Sequence, residues 1–524
     1  MRMYRVIPLA LLMLLLAASS AFAARGFSHG VTPGEVTASS AILWSKAKKS
    51  GRYTLTVARN KRLTRGRRTT SARARRSRDN TVQKRVRRLK PGRRYWFRFS
   101  RGRRRSDLGT FVTAPRRSRS RTIEFAWSGD QDFNTAPGQR SPYWNNGGVL
   151  RRMRAERNHF NIMLGDTIYS DSEIPGRLNP IALSVRQKWA KYRINLRNRS
   201  LRGLRRSAGF YSLWDDHEFV NDFSPAENSF DNGVNLNGRT LFRRGAKAFR
   251  DYAPVRWTSR DGLYRTVRWG RNLELFFLDN RSFRSQNADE GGVCDNPQTG
   301  EPDFAPTVPQ TTRNVFAAAV PSLAQPVSQA CLDRIRSPQR TYLGQRQLNR
   351  FLNGVEQSTA RFKVVMSGMP IQQYYVLPYD RWEGYEAERR QVLQRLRNEK
   401  NVIFMSTDVH AILVNDARLQ TLESGGPRNT GITDVTVGPV ATANFALEID
   451  DATGRSGNGT LADNAFFTPP PPGGVGMRCS VLDQFSYGQV RVTSNQLVVT
   501  PKDINGAPIT DDGRPCNTVL NYTP

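Results

Sequence analysis

Cysteine and histidine are scarce in this chain of 524 residues, at four each. After the first two dozen residues no apolar run is long enough to span a bilayer. Cys294, Cys331, Cys479 and Cys516 show no zinc-site spacing, so thiolate metal chemistry is disfavoured. A G-x-S-x-G elbow, a Walker loop and an H-E-x-x-H helix are all missing. Their absence argues against a serine hydrolase, an NTPase and a zincin. Acidic residues are also in deficit, 44 Asp and Glu against 81 Lys and Arg, for a formal charge of +37.

The first residues have the layout of an export signal. Arg2 and Arg5 precede the apolar run Ile7 to Ala18, and Ala21 and Ala23 put small residues at the −3 and −1 positions. A signal peptide over residues 1–23 is therefore expected, with a secreted product that is extracellular, periplasmic or wall-associated. With no twin-Arg pair and no Cys after the cleavage point, neither a Tat signal nor a lipid anchor is expected. In an exported chain the four Cys are expected to form two disulfides. Proximity favours Cys294–Cys331 and Cys479–Cys516, although three connectivities are open.

Arg-rich stretches lie at 61–76, 84–105 and 116–121. Two readings stay open for them. One is attraction to an anionic polymer (wall polymer, nucleic acid or anionic lipid); the other is a solvated basic face. Only Tyr95 and Phe97 interleave with the basic runs, which does not fit a sequence-specific nucleic-acid reader.

About 500 mature residues suggest two domains. Residues 27–115 read as short strands separated by turns, with Lys90-Pro91-Gly92 as one turn, and imply a small all-β sandwich. From 121 to the C-terminus the pattern is that of a layered α/β domain. Six apolar runs recur, at Ile123–Ser128, Phe160–Leu164, Phe210–Trp214, Leu273–Leu278, Phe362–Met366 and Val402–Ser406. Helical stretches fall at about 145–158, 183–197, 239–253, 344–356 and 384–399.

The residues just past each run carry the chemistry. Asp130 and Asp132 come after the first, Asp166 and Tyr169 after the second, and Asp215, Asp216 and His217 after the third. Asp279 and Arg281 come after the fourth, Gly368 to Pro370 after the fifth, and Asp408 with His410 after the sixth. Sites in open α/β sheets form beyond the carboxyl ends of strands, and five of these six ends carry groups suited to metal or phosphate. Alone, Asp166 reads equally well as a helix cap and Tyr169 as a packing residue. Two acids and a His in succession at 215–217 are costly to bury without a cation. For His217 the roles of metal ligand, general acid and stabiliser of phosphate charge are all open. Asp408 and His410, two apart in an extended segment, project to one side. The mainly oxygen ligand set suits calcium, magnesium, manganese or ferric iron. Arg281 and Arg284 are candidates for phosphate contact or for support behind the ligands. His29 and His159 have no acidic cluster nearby in sequence and read as structural.

The segments LGDTIYSD at 164–171, WDDHEFVND at 214–222, LDNRSFRS at 278–285, DRWEGYEAER at 380–389 and TDVH at 407–410 resemble the PhoD-like alkaline phosphatase and phosphodiesterase family of metallophosphoesterases. FSHGVTPGEVTASSAILWSKA at 27–47 is similar to that family's N-terminal domain. The resemblance implies an α-β-β-α catalytic domain over 121–524 behind the sandwich domain at 27–115. It also implies a multinuclear site, in some members holding calcium and iron. Carried over, Asp166 bridges metals and Tyr169 binds the more Lewis-acidic one. Asp216, Asn221, Asp408 and His410 are further ligands, and His217 stands near the substrate; Arg281 joins it as a catalytic candidate on the reading of the residues alone. Asp130 takes the place of a Cys found in some members, Thr407 that of a Gly, and Asn280 that of a small hydroxyl residue.

The function expected is hydrolysis of phosphomonoesters, phosphodiesters or both by metal-bound hydroxide. A nuclease or phospholipase using the same site is the alternative. A basic, non-catalytic envelope-binding protein is the reading outside enzymology.

Overall fold

The structure, a computed structural model, describes residues 26–172, 174, 181–230 and 233–524. The expected signal peptide at 1–23 lies outside the described residues.

The apolar runs become strands because both of their faces are buried, so every side chain in them needs an apolar neighbour. They divide between two sheets. Ile123–Ser128, Phe160–Leu164 and Gly209–Leu213 are parallel neighbours in the middle of a nine-stranded sheet. Leu273–Phe277, Phe362–Met366 and Val402–Ser406 are parallel neighbours in a seven-stranded one. The two sheets pack face to face. Trp127 Nε1 donates to the Ser406 carbonyl at 3.0 Å, and the rings of Tyr211 and Phe277 lie 5.4 Å apart.

Strand alternation assigns each residue to a layer. Val364 and Met366 join the core between the sheets, whereas Val365 joins a second core under the helices Gln345–Glu356 and Glu386–Leu396. On the other side, Val149, Leu150 and Met153 bring the helix Gly148–Ala155 onto the nine-stranded sheet. The architecture is the mixed α/β one expected, an α-β-β-α sandwich with an all-β domain before it.

The all-β domain shares a sheet with its neighbour. Phe27–Gly34, Ala41–Ala47 and Thr81–Val86 extend the nine-stranded sheet beyond Gly209–Leu213, joined by parallel pairing of Gly34 with Phe210. Its remaining strands, Gly51–Ala58, Arg68–Ala74, Arg94–Arg101, Arg104–Arg105 and Gly109–Val112, belong to a five-stranded sheet of their own. The opposite border of the nine-stranded sheet comes from Ser486–Val492, Gln496–Asp503 and Thr518–Asn521. Both favoured disulfides, Cys294–Cys331 and Cys479–Cys516, are formed.

Candidate metal centre

Strand ends from both sheets converge. The nine-stranded sheet delivers Asp130, Asp166, Asp215 and Asp216, and Val402–Ser406 of the seven-stranded sheet delivers Asp408 and His410. Asp130, Asp166, Asp408 and His410 have φ of 62°, 43°, 74° and 56°. Such left-handed backbone costs about 1–3 kcal/mol at each non-glycine residue, and here it turns four functional side chains toward one point. Gly165 (φ 100°) supplies the bend before Asp166. A Cβ on Gly368 would lie 2.2 Å from Asp215 Oδ2, so this strand end must lack a side chain for the acid to fit.

The ligand atoms of Asp130, Asp166 and His410 lie within 4.8 Å of one another. So do those of Asp166, Asp216 and His217, and those of Asp215, Asp216 and Asp408. Asp166 and Asp216 therefore connect the groups. Asp130 Oδ1, Asp166 Oδ2 and Asp216 Oδ1 are buried without a hydrogen-bond partner. Burial pushes the Asp130 carboxyl up to about 7, with His410 partly opposing it. Burial holds Asp166 well above its ordinary value, and Asp216 adds to the effect. Asp408 is raised in the same direction by burial, then by Asp215 and Asp216. The unpartnered oxygens of Asp130 and Asp166, on carboxyls that resist ionisation, fit a cation, whose charge reverses that balance; Asp216, with Arg281 Nη2 3.4 Å from its Oδ1, is held below its ordinary value against burial by His217 and Arg281. Oxygen donors, one phenol and two imidazoles suit hard divalent or trivalent ions.

The aromatic ligand candidates are held from behind. Tyr169 Oη lies 2.9 Å from His410 Nε2, and the Tyr169 ring stacks on His217 with centroids 4.0 Å apart. His410 Nδ1 is hydrogen-bonded to Glu448 on the helix Phe445–Thr453. His217 Nδ1 shares a 2.7 Å hydrogen bond with Asp171 Oδ1, and Asp171 Oδ2 accepts the Asn221 backbone N–H at 2.6 Å. Burial alone would strip His217 of its proton, but Asp216 and Asp171 hold its pKa well above the ordinary value. Asp171 and Glu448 were not among the candidates from sequence. Asp171 sits within the LGDTIYSD stretch, whereas nothing local marks Glu448.

Asp166, Asp216, His217, Asn221, Asp408 and His410 line a cavity of about 960 Å³. Of the two adjacent acids, Asp216 faces this space. Asp215 is tied instead to Arg281 Nε, and burial pushes its carboxyl up to about 7. Asp130 and Tyr169 stand just behind the cavity wall, both about 1% exposed or less.

Arg281 does not reach the cavity. Its Nη1 and Nη2 clasp both oxygens of Asp380 at 2.6 and 2.5 Å, and Nη1 also donates to the Phe223 carbonyl at 3.1 Å. Of the two roles open to it, support behind the ligands fits this geometry and contact with phosphate does not, because its donors are spent. Arg284 is committed likewise, to Asp380 and Tyr385. Two other strand-end acids are structural. Asp279 accepts from Trp214 Nε1, Leu263 N and Ser282 Oγ. Asp132 accepts from the Asn134 backbone N–H at 2.9 Å and from Ser172 Oγ.

Comparison with known proteins places these features in a family. Residues 133–469 match the family described as PhoD-like phosphatase, and residues 15–115 match its N-terminal domain. Among solved structures, one entitled "Structure of PhoD" superposes with a TM-score of 0.71 at 17% identity, covering 94% of each chain. A purple acid phosphatase isolated from yellow lupin (Lupinus luteus) seeds gives a TM-score of 0.55 at 10% identity, covering 94% of this chain and 73% of that one. No curated protein matches by sequence.

Proposed function

The chain belongs to the PhoD-like phosphatase family of metal-dependent phosphoesterases, and from that premise we propose a secreted hydrolase of phosphomonoesters, phosphodiesters or both. The observation that carries this reading is the set of buried, unpartnered carboxylate oxygens beside His217 at the base of an open cavity.

In this proposal Asp166, shared by two of the ligand groups, would hold two ions and Tyr169 would hold the more Lewis-acidic of them. Asp130, Asp216, Asn221, Asp408 and His410 complete the ligand set. Calcium and iron are the ions proposed, in keeping with the oxygen-rich donors and the phenol. Bound there, they supply Lewis acidity, lowering the pKa of coordinated water and neutralising phosphoryl oxygens. His217, fixed by Asp171 through Nδ1, carries a proton that it gives to the leaving oxygen or shares with a developing negative charge. Asp171 holds the imidazole in one tautomer and orientation. Arg281, bonded to Asp215 and to both oxygens of Asp380, holds the two acids in place and so shapes the floor on which Asp216 rests.

Export is supported by the two disulfides and by the apolar N-terminal run. Among the described residues no helix is long and apolar enough to cross a membrane. The Arg-rich stretches are proposed to attract an anionic polymer, on charge alone.

The test is phosphate or nitrophenol release from 4-nitrophenyl phosphate and from its bis ester, by metal-replete, chelated and Asp166→Ala protein. Turnover is expected only from the first preparation. Failure of metal-replete enzyme on both of these esters, and on nucleotide and lipid esters, would overturn the reading.

A further inference from the structure

The wall of the catalytic cavity continues into a second, narrower space. Phe304, Val320 and Thr453 line both. Beyond them the crevice is walled by Val308, Phe316, Leu323, Ile449, Leu461 and Phe466. Its polar neighbours are largely engaged: Arg313 clasps Asp303 with Nη1 and Nη2 at 2.7 and 2.8 Å, leaving its Nε unpartnered, and Asn458 Nδ2 donates to Thr453 Oγ1 at 3.0 Å. The crevice holds about 50 Å³, a few times the ~10–15 Å³ that one water needs. That is room for a short run of methylene groups. An apolar space of this kind holds water poorly and takes hydrocarbon readily.

Exposed apolar residues gather at the same place. Among the described residues, the large apolar side chains left exposed are Tyr143, Val315, Leu447, Leu461 and Val519. Tyr143 and Leu447 line the catalytic cavity, Leu461 lines the crevice, and Val315 directly precedes Phe316 in its wall. Three of the five therefore line these two adjoining spaces, where scattered placement is the norm. The cavity wall between also carries Asp289, Glu301 and Asp451, which repel additional negative charge. A polyanion is the wrong guest for this opening, and a single phosphoester with a hydrocarbon tail is the right one.

We propose that the crevice is a subsite for an alkyl or acyl chain of the substrate, seated while the phosphoryl group lies at the metal centre. The proposal rests on the phosphoesterase reading, with the subsite setting which esters are preferred.

The experiment is a chain-length series of 4-nitrophenyl phosphodiesters bearing methyl, butyl and octyl groups. A buried methylene contributes roughly 0.8 kcal/mol, or about fourfold in binding. A rise on the order of 60-fold in kcat/KM is therefore expected from methyl to butyl, with little further gain at octyl. Ala319→Trp, which fills the crevice from a half-buried position away from the metal centre, should erase that rise while leaving the methyl ester unchanged. Leu461→Asp, at an exposed position, should weaken it. A flat series in the unmodified enzyme, or a slope that survives Ala319→Trp, overturns the proposal. Calorimetric binding of butylphosphonate against methylphosphonate reads the crevice without turnover. If no ester is hydrolysed yet butylphosphonate binds more tightly, and does so only without the Trp, the enzyme reading falls and the subsite stands.

Discussion

The phenol oxygen of Tyr169 and Nε2 of His410 lie 2.9 Å apart, while the Tyr169 ring covers His217 at 4.0 Å. One residue thus touches both imidazoles of the centre, as a ligand candidate beside one and as packing against the other. Tyr169→Phe keeps the packing and removes the oxygen. If iron occupies this corner, the purified enzyme should be coloured and the variant colourless, with turnover reduced about 10- to 100-fold. Visible spectra with metal analysis decide it, and a colourless active parent enzyme assigns the corner to another ion.

Asp171→Asn keeps the shape beside His217 and removes the charge that steers it. We expect kcat to fall about 10- to 100-fold with KM nearly unchanged. A loss confined to KM would place His217 in substrate binding alone. Steady-state kinetics with a thermal melt separate this from misfolding.

Arg281→Ala would leave Asp215 buried without its cation and Asp380 with Arg284 alone. Breaking such a pair costs about 3–5 kcal/mol, so the denaturant midpoint should drop markedly. A phosphate-binding Arg would instead raise KM in a protein of unchanged stability.

Glu227 provides a pH test away from the ligands. Burial pushes its carboxyl from 4.5 up to about 8, only partly offset by the Asn287 N–H. The folded state therefore binds this proton more tightly than the unfolded chain does. Its contribution is fully present below about 4.5 and is lost as pH rises toward 8. Glu227→Gln should flatten that decline, worth on the order of a few kcal/mol, in urea unfolding followed from mildly acidic to mildly alkaline pH.

Chelation removes the charge that makes a nest of buried carboxylates tolerable. The melting temperature should fall on treatment with a chelator and recover on adding back metal, since an ion that binds only the folded state stabilises it by mass action.

The strand ends were legible because runs buried on both faces cannot be polar; Ile123–Ser128 and Val402–Ser406 carry the same boundaries in sequence and structure. The hairpin of Ile412–Gln420 and Arg428–Thr436 was not, since Asp416 and Arg418 interrupt its apolar character. Candidates for the centre were legible wherever side chains cluster in sequence, as at 215–217. Glu448 and the role of Arg281 were illegible because their partners are remote: Arg281 meets Asp215 and Asp380 across 66 and 99 residues. Nothing local announces such a pairing, and a saturated guanidinium looks like a free one until its neighbours are known.

The shared nine-stranded sheet has a consequence for the order of events in the cell. The three strands that present Asp130, Asp166 and Asp216 are bordered on one side by residues 27–34 and on the other by residues 486–492. Until residue 492 has been made, the strand Ile123–Ser128 has one ladder of unpaired backbone groups. The sheet that carries the centre is therefore closed only when two segments more than 450 residues apart in sequence, 27–34 and 486–492, have both joined it.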